Sequence, residues 1–217
     1  MPELRRQLIE TARRMAPANL NRGAAGNLSV RARENGADGY LITPSGMDYE
    51  VLVPEDIVFM RLDGTPDGRR KPSSEWRFHH DIYVARPEAG AILHAHSPFA
   101  TSLACLRRDI PPFHYMIARF GGDTIRCAEY STFGSQALSD NAIAAMRDRC
   151  ACLLANHGLL VFGKTLEHMF TLAVEFEALC EQYWRACQLG QPVLLSADEM
   201  AAVLAKFASY GQQDSAQ

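Results

Sequence analysis

Runs of lysine or arginine are missing from this sequence, and its charges are nearly balanced. The 22 basic and 25 acidic residues give a formal net charge of -3, and the isoelectric point is near 6.2. A nucleic-acid-binding domain usually carries a basic patch and a high isoelectric point. The composition therefore argues against a nucleic-acid partner and favours a small molecule.

The first 20 residues lack an unbroken apolar stretch. Charged and apolar side chains alternate there at helical spacing. A secretory signal needs an apolar core of about 7–15 residues, and a membrane-spanning helix needs about 20. We therefore expect neither a signal peptide nor a membrane anchor, no membrane partner, and a cytoplasmic location.

The sequence also lacks a C-x-x-C pair, although it contains six cysteines. A chain of this size needs no disulfides for stability, and free cysteine is among the residue types most often buried. We therefore expect reduced, mostly buried thiols. Cys150 and Cys152 have a spacing that could allow them to bind a metal, but simple burial is the more economical explanation.

No linker, internal repeat or low-complexity segment divides the sequence. Its 217 residues, 47% of them hydrophobic, are enough to bury one sizeable core. We predict one domain over residues 1–217, with a polar, flexible tail at about 211–217.

Apolar spacing predicts alternating helices and strands, and hence an α/β fold. Helical periodicity covers residues 3 to about 16, 75–85, 97–106, 140–149, 165–189 and 196 to about 207. Short apolar or alternating runs predict strands at 28–30, 40–43, 57–62, 91–96 and 152–157. Ser196 and Glu199 have the form of a helix capping box.

His94 and His96 lie two residues apart in an apolar strand, so both side chains point to the same face of the sheet. Such a pair also fits two ordinary polar or capping histidines, but imidazoles in an apolar strand need partners to offset desolvation. His157, at the end of a second apolar strand, is a third candidate ligand. Three protein ligands with one open position are the pattern of a catalytic zinc site.

Glu75 follows Pro72-Ser73-Ser74, where a helix is predicted to begin in the serine pair. Near a cation and partly desolvated, its carboxylate could act as a general acid or base at neutral pH. A glutamate in the first turn of a helix is also favoured by the helix dipole alone. The two interpretations are compatible.

Three small polar turns could bind a phosphate through backbone N–H groups and hydroxyls. They are Gly26 to Ser29, Thr43 to Gly46, and Ser73-Ser74. Each one alone is also an ordinary turn. As a set they favour a phosphorylated ligand.

About seven ordered motifs, running nearly end to end, resemble the class II aldolase/adducin family. They are Gly26-Asn27 with Ser29, Leu41-Ile42-Thr43-Pro44 with Gly46, Pro72-Ser73-Ser74-Glu75-Trp76-Arg77-Phe78-His79, His94-Ala95-His96, Ile110-Pro111 with His114-Tyr115-Met116-Ile117, Thr132-Phe133-Gly134, and His157-Gly158-Leu159. A match over this many motifs in order is specific to the family.

The resemblance implies a three-layer α/β/α domain around a mostly antiparallel central sheet, assembled as a homotetramer with active sites at subunit interfaces. It implies a zinc-dependent, reversible aldol cleavage of a ketose 1-phosphate into dihydroxyacetone phosphate and an aldehyde. The implied substrate is L-fuculose 1-phosphate or a related deoxy- or thio-pentulose phosphate. Mn²⁺, Co²⁺ or Fe²⁺ are the implied substitutes for Zn²⁺.

Residue by residue, the resemblance implies roles for the candidate site. His94, His96 and His157 fall on zinc ligands, and Glu75 falls on the catalytic acid/base. Tyr115 falls on a tyrosine that reaches in from the neighbouring subunit and protonates or polarises the aldehyde oxygen. The other implied positions bind phosphate (Asn27, Ser45, Gly46, Ser73 and Ser74) or line the aldehyde side of the pocket (Phe133, Phe207 and Tyr210).

Two positions bear on the choice of substrate and reaction. Ala24 stands where the family's phosphate loop often has a hydroxyl residue, which implies a looser phosphate grip or an altered substrate. Glu75 favours an aldolase, because the ribulose-phosphate 4-epimerase branch has Asp at the matching position. A decarboxylase or dehydratase of a phosphorylated sugar acid or thio-sugar is an alternative, and a non-catalytic adducin-like module is disfavoured by the three histidines and Glu75.

Overall fold

The computed structural model describes residues 1–23 and 25–209. Ala24, Tyr210 and the tail predicted at 211–217 lie outside the described residues. In the part described, an eight-stranded sheet forms the centre of the fold. Its strands are β1 (Asn27–Glu34), β2 (Ala37–Ile42), β3 (Val58–Arg61), β4 (Pro66–Asp67), β5 (Ala91–Ala95), β6 (Cys127–Ala128), β7 (Ala151–Leu154) and β8 (Gly158–Gly163).

The spatial order of the strands is β4-β3-β2-β1-β5-β8-β7-β6. All neighbouring strands in this order are antiparallel except β6 and β7, which are parallel. The mostly antiparallel sheet implied by the family resemblance is therefore confirmed. Strands β1, β5 and β8 lie at its centre. Two candidate site residues lie on them: Asn27 begins β1, and His94 lies on β5.

Helices cover both faces of the sheet. They are α1 (Pro2–Arg14), α2 (Trp76–Ala85), α3 (Pro98–Ala104), α4 (Gln136–Ala145), α5 (Leu166–Leu189) and α6 (Ala197–Ser209), with short 3₁₀ turns at Tyr49–Val51, Pro54–Asp56 and Tyr115–Phe120. Side chains of α1, α3 and α5 pack in one core, and those of α2 and α4 pack in the other. The three-layer α/β/α arrangement is confirmed. None of the helices within residues 1–23 and 25–209 is long and apolar enough to cross a bilayer.

Central strands supply side chains to both cores. On β5, Leu93 packs on the α1, α3 and α5 side, whereas Ile92 packs on the α2 and α4 side. Successive side chains of a strand point to opposite faces, so a strand covered on both faces reads as a continuous apolar run. The predicted apolar stripe of α5 is also a core face, since Met169 and Phe176 are fully buried.

Some element boundaries differ from the sequence prediction. Helix α4 begins at Gln136, earlier than predicted, because the Ser135 hydroxyl caps it by accepting the Leu138 N–H at 3.2 Å. The capping box predicted for α6 is confirmed: Ser196 Oγ accepts the Glu199 N–H at 3.2 Å, and the Ser196 N–H donates to Glu199 Oε2 at 2.7 Å.

All six cysteines are free, but the prediction that most are buried is wrong. Cys152 and Cys180 are buried, whereas Cys105 and Cys187 are exposed and the other two are intermediate. Cys105 is the C-cap residue of α3, and Cys187 lies in the last turn of α5. Both exposed cysteines therefore lie at the C-terminal end of a helix.

Candidate metal centre and active site

Three imidazoles and one carboxylate converge beside the central strands. His94 lies on β5, His96 directly follows it, His157 lies in the turn between β7 and β8, and Glu75 immediately precedes α2. One ligand atom from each residue lies within 4.8 Å of all the others. His94 Nε2 is 2.9 Å from His96 Nε2 and 3.3 Å from Glu75 Oε2. The structure thus brings together the four residues that the sequence singled out for metal and acid–base chemistry.

The tautomer of His94 is fixed by the backbone of β8. Its Nδ1–H donates to the carbonyl oxygen of Leu159 at 2.8 Å. A carbonyl can only accept, so Nδ1 carries the proton and Nε2 keeps a lone pair directed at His96 and Glu75. Burial, reinforced by the neighbouring His96, lowers the pKa of His94 to about 3. His94 is therefore a neutral imidazole at neutral pH, which is the form that binds a metal.

The other two imidazoles are also neutral. Burial lowers the pKa of His157 to about 4, an effect that His94 reinforces and Glu75 opposes. Burial lowers the pKa of His96 as well, again against the influence of Glu75. The three ring centroids lie 4.7–4.8 Å apart. Three adjacent imidazoles can share one cation without the repulsion that protonated rings would cause.

The turn that carries His157 depends on two backbone positions. Asn156 has a φ of 53°, in the left-handed region that asparagine tolerates better than most residues. A Cβ on Gly158 would lie 2.3 Å from the Ala95 carbonyl oxygen and 3.0 Å from His96 Cδ2. Glycine at 158 therefore allows this turn to approach β5 closely enough to place His157 beside His96. The sequence prediction that His157 ends a strand is corrected accordingly, because β7 ends at Leu154.

Glu75 is the N-cap residue of α2 and does not lie in its first turn, contrary to the sequence prediction. The predicted serine cap is wrong too: Ser73 Oγ accepts the backbone N–H of Glu75 at 3.3 Å, outside the helix. The Glu75 side chain makes no capping bond, because its carboxylate turns into the histidine cluster. Its position is set by the cluster and not by the helix dipole.

The residues present fit a divalent cation. Glu75 Oε1 is buried and lies 3.2 Å from His157 Nε2, yet it has no hydrogen-bond partner among residues 1–23 and 25–209. A buried carboxylate oxygen without a partner is costly unless a cation offsets its charge. Ligands about 2.0–2.1 Å from a tetrahedral zinc ion lie about 3.3 Å from one another. The contacts of 2.9, 3.2 and 3.3 Å in this cluster are close to that spacing.

A series of four buried hydrogen bonds runs from Glu75 to Tyr83, in the last turn of α2. Asn27 Nδ2 donates to Glu75 Oε2 at 3.0 Å, and Asn27 Oδ1 lies 2.6 Å from His79 Nε2. His79 Nδ1 lies 2.7 Å from Ser29 Oγ, which in turn lies 2.9 Å from the Tyr83 hydroxyl. All five side chains are buried. The side chain of Asn27, assigned by resemblance to phosphate, is therefore engaged by Glu75 and His79.

Sequence reasoning gave no role to His79 or Tyr83 and placed Ser29 only in a candidate phosphate turn, although a signal for the network was present. Glu75, His79 and Tyr83 are spaced four residues apart, which places them along one face of a helix. Asn27 and Ser29 are two residues apart, on one face of β1. Polar side chains at matched spacing on two adjacent apolar elements indicate a buried polar network.

Backbone hydrogen bonds tie together the segments that were predicted to bind phosphate, although Asn27 to Ser29 form the start of β1 and not a turn. Thr43 N–H donates to Leu28 O at 3.0 Å, Ser73 N–H donates to Thr43 O at 3.1 Å, and Ser45 N–H donates to Lys71 O at 3.1 Å. The turn after β2 is thus joined both to β1 and to the segment before α2. The members of the set that are exposed are Ser45, Gly46 and Ser74, whereas Ser73 is buried.

The cluster opens into a cavity of about 340 Å³. Its lining residues are Ala25, Ser74, Glu75, His96, Tyr130, Ser131, Phe133, Asn156 and His157. Phe133, predicted on the aldehyde side, is 66% exposed at this cavity. Tyr130, Ser131 and Asn156 were missed, because loop residues carry no periodic signal. A larger cavity of about 650 Å³ lies beside α1 and the start of α5, and none of the four converging residues lines it.

Tyr115 and Phe207 line a different cavity, of about 410 Å³, formed with residues of α6 and of the 3₁₀ turn at Tyr115–Phe120. None of the four converging residues lines it. Tyr115 is 50% exposed. Within a single chain, Tyr115 and Phe207 therefore line a cavity that Glu75 does not line, and Tyr210 lies outside the described residues.

Comparisons with known proteins agree with this architecture. A family model described as the class II aldolase and adducin N-terminal domain matches residues 6–184. The chain is 56% identical over 208 residues to the 5-methylthioribulose-1-phosphate/5-deoxyribulose-1-phosphate aldolase of Rhodospirillum rubrum, a match that covers 96% of this chain and 92% of that protein. It is 44% identical over 210 residues to the L-fuculose phosphate aldolase of Escherichia coli, with 96% of each chain covered.

Among solved structures, an L-fuculose 1-phosphate aldolase superposes with a TM-score of 0.90 at 41% identity, covering 96% of this chain and 97% of that one. The family match and the aldolase relatives both extend over most of the chain, including the region that holds the histidine cluster. The chain therefore belongs to the class II aldolase/adducin family and is an enzyme of the class II aldolase type, a carbon–carbon lyase.

Proposed function

We propose that this chain uses a zinc ion to catalyse the reversible aldol cleavage of a ketose 1-phosphate into dihydroxyacetone phosphate and an aldehyde. The observation that carries the proposal is the convergence of His94, His96, His157 and Glu75, whose ligand atoms lie within 4.8 Å of one another. Neutral imidazoles suit zinc, and Mn²⁺, Co²⁺ or Fe²⁺ are proposed as substitutes. Membership of the family supports the class of reaction, and the cluster of imidazoles and carboxylate supports a bound cation.

We favour 5-methylthioribulose 1-phosphate or 5-deoxyribulose 1-phosphate as the substrate. The relative named for both compounds is 56% identical to this chain, whereas the E. coli relative named for L-fuculose phosphate is 44% identical. The three sugars share the half that becomes dihydroxyacetone phosphate and differ in the aldehyde half. Tyr130 and Phe133, 54% and 66% exposed at the cavity, offer aromatic surface that suits a methyl or methylthio group. L-Fuculose 1-phosphate is the second candidate.

His94, His96 and His157 would hold the ion, which supplies a Lewis acid for the negative charge that develops on the ketone oxygen. Cleavage breaks the C3–C4 bond and leaves its electron pair on C3, while the C4 hydroxyl loses a proton and becomes the aldehyde. Tyr115 of a neighbouring copy takes or shares that proton. Glu75 delivers a proton to C3 of the enediolate, which yields dihydroxyacetone phosphate. The proton that Tyr115 takes then returns to solvent, and Glu75 regains its proton from solvent, so the cycle balances and no co-reactant is required.

The proposed phosphate site consists of the tied turns, with Ser45, Gly46 and Ser74 presented to the ligand and Asn27 and Ser73 behind them. The arrangement is supported by the backbone bonds that join these turns. Because Ser73 Oγ also accepts the Glu75 N–H at 3.3 Å, the turn that would hold phosphate also supports the backbone of Glu75. Phosphate binding would thereby place C3 of the substrate at a fixed distance from the carboxylate.

We propose that residues 1–217 form one domain and that the domain assembles as a homotetramer with active sites at subunit interfaces. Tyr115 and Phe207 line a cavity separate from that of Glu75. Tyr115 can therefore serve the proposed reaction only where two copies meet. A cytoplasmic location is proposed as well, since all six cysteines are free, as in a reducing compartment.

Turnover of a substrate panel tests the proposal. The zinc-loaded protein is assayed with the three ketose 1-phosphates, and dihydroxyacetone phosphate is measured by its enzymatic reduction with NADH. We expect chelator-sensitive release of dihydroxyacetone phosphate, with the 5-methylthio and 5-deoxy sugars giving the higher kcat/KM. Glu75→Gln is the matched inactive control. Release of carbon dioxide or water without an aldehyde would instead identify a decarboxylase or a dehydratase on the same scaffold.

A further inference from the structure

We propose that His79 is a positioning residue for Glu75: acting through Asn27, it holds Glu75 Oε2 and leaves Oε1 for proton transfer. This inference deepens the proposed function, because the assignment of proton transfer to Glu75 comes from there. The direction of the hydrogen bonds that link Glu75, Asn27 and His79 follows from their geometry and does not depend on the reaction. The two parts can therefore fail separately.

The direction of every bond in the series follows from one end. A carboxylate accepts, so Asn27 presents its Nδ2–H₂ group to Glu75 Oε2, at 3.0 Å, and its Oδ1 faces His79. Asn27 Oδ1 only accepts, so His79 carries its proton on Nε2, at 2.6 Å. His79 Nδ1 is then an acceptor for the Ser29 hydroxyl at 2.7 Å, and Ser29 Oγ accepts from the Tyr83 hydroxyl at 2.9 Å.

This series distinguishes the two oxygens of Glu75. Oε2 receives the Asn27 bond, whereas Oε1 makes no hydrogen bond among the described residues and lies 3.2 Å from His157 Nε2. Bonds that all point the same way polarise one another, and they are stronger in a dry interior than in water. The series therefore fixes the rotation of the carboxylate and keeps Oε1 beside His157, a residue that lines the cavity.

The far end of the series is held rigidly by packing. His79 is fully buried and stacks on Phe78 with a centroid distance of 4.9 Å. The centroid of the Tyr83 ring lies 4.8 Å from that of Tyr40 on β2. The Arg31 guanidinium, on β1, lies over the Tyr83 ring at 4.8 Å from its centroid. A ring held by helix and strand together can position a carboxylate better than a loop residue could.

Substitution of His79 by phenylalanine tests the inference. His79→Phe keeps the ring volume but removes the N–H that fixes the Asn27 amide. We expect kcat to fall about 10- to 100-fold, since small misplacements of a catalytic group have effects of that size. KM for the sugar phosphate and the zinc content are expected to stay within about twofold, because neither the phosphate turns nor the histidine ligands change. His79→Gln, whose amide N–H can replace Nε2–H, is expected to restore most of kcat.

The matched control is His80→Phe, on the same helix. His80 bonds to Asp81 and to the Leu62 carbonyl, away from Glu75, so its replacement is expected to leave kcat unchanged. A double-mutant cycle then separates positioning from general damage. In the Glu75→Gln background, His79→Phe is expected to change the residual rate by less than about twofold. An equal loss in both backgrounds, or a wild-type kcat in folded His79→Phe, would overturn the inference.

A readout independent of activity is the position of the protons. Neutron diffraction from deuterated crystals is expected to show deuterium on His79 Nε2, none on Nδ1, and the Ser29 deuterium directed at Nδ1. Deuterium on His79 Nδ1 would refute the series even if the enzyme is an aldolase. If no ketose 1-phosphate is cleaved, the proposed function fails. The proton map and the conformation of Glu75 in His79→Phe crystals still decide whether His79 positions the carboxylate. Should His79→Phe fail to fold, Ser29→Ala, which frees His79 Nδ1, takes its place in the same cycle.

Discussion

His94 donates a hydrogen bond from Nδ1 to the carbonyl oxygen of Leu159 at 2.8 Å, and this bond connects the candidate metal centre to the backbone of β8. Metal-bound imidazoles commonly give their second N–H to such a partner, which fixes the ring and its tautomer. Here the partner is a main-chain carbonyl, so the orientation of His94 is set by the pairing of β5 with β8. The fold itself, and no separate side chain, directs Nε2 into the cluster.

Replacement of His96 by alanine is expected to remove the metal. Loss of outer-shell partners costs about 10- to 100-fold in metal affinity, and the loss of a ligand should cost at least as much. Elemental analysis after dialysis is expected to give near-stoichiometric zinc for the wild type and little for His96→Ala. The control is His168→Ala, since His168 is exposed and its Nδ1 accepts the Lys164 N–H at 3.2 Å. Undiminished zinc in His96→Ala would refute the ligand assignment.

Glu75→Gln is expected to separate metal binding from proton transfer. The amide preserves the shape of the side chain but cannot take up or deliver the proton, so kcat should fall by about 10²–10⁴-fold. Zinc content should be retained because the three imidazoles are unchanged. The measurement is exchange of solvent deuterium into dihydroxyacetone phosphate by NMR. Wild-type exchange in this variant would remove Glu75 from the mechanism.

Part of the candidate metal centre could be predicted because two of its residues carry local signals. His94 and His96 share a strand face by their spacing alone, and the apolar strand around them implies buried imidazoles in need of partners. The convergence of His157 and Glu75 on the same point could not be derived from spacing. It depends on the neighbouring positions of β5 and β8 and on the packing of α2 against the sheet, which are long-range pairings that local periodicity does not encode.

The role of Glu75 in its helix shows why local rules fail at functional sites. Its place after two serines predicted a first-turn glutamate, but the carboxylate lies in the histidine cluster and caps nothing. The hydrogen bond from Asn27, together with the cation that the cluster is proposed to hold, would outweigh a helix-dipole contribution of about 0.3–1 kcal/mol. Deviations from local preference are expected where function constrains a residue.

Asp56 anchors the segment that leads into the proposed phosphate turns. Its buried carboxylate accepts hydrogen bonds from Arg69 at 2.8 Å and from Arg70 at 2.7 Å. Burial alone would raise the pKa of Asp56, but bonds from Arg70, the Val53 N–H and Arg69 together hold that pKa below its usual value. The ionised carboxylate therefore stabilises the folded protein.

Asp56→Asn is expected to lower the free energy of unfolding by about 1.5–3 kcal/mol at pH 7, the range for hydrogen bonds to a charged group. Because the pKa of Asp56 is depressed in the folded state, its contribution is present above the unfolded pKa of about 3.9 and is lost as the pH falls below it. Urea unfolding of both proteins from pH 7 to pH 3 should show the difference shrinking below about pH 4. Asp38→Asn, in an exposed ion pair with Arg33 at 3.6 Å, is the control and should change stability by less than about 0.5 kcal/mol.

Mixing two inactive variants tests whether active sites lie between subunits. Glu75 and Tyr115 line separate cavities of one chain, so under the proposed function we expect a complete site to combine Glu75 from one copy with Tyr115 from another. Glu75→Gln and Tyr115→Phe chains, refolded together in equal amounts, should form hybrid oligomers in which about one quarter of the sites have both wild-type residues. Activity is then expected to approach about one quarter of the wild-type value, well above either parent.

The control mixture combines Glu75→Gln with His96→Ala, whose defects lie in the same cavity of one chain. Every cavity in this mixture comes from one parent chain and therefore lacks either Glu75 or His96. The mixture should stay at the activity of its parents. Equal behaviour of the two mixtures would place Tyr115 either outside the reaction or in the same chain as its Glu75. A gain confined to the first mixture requires an interface at every working site, because no monomer could combine the two intact side chains.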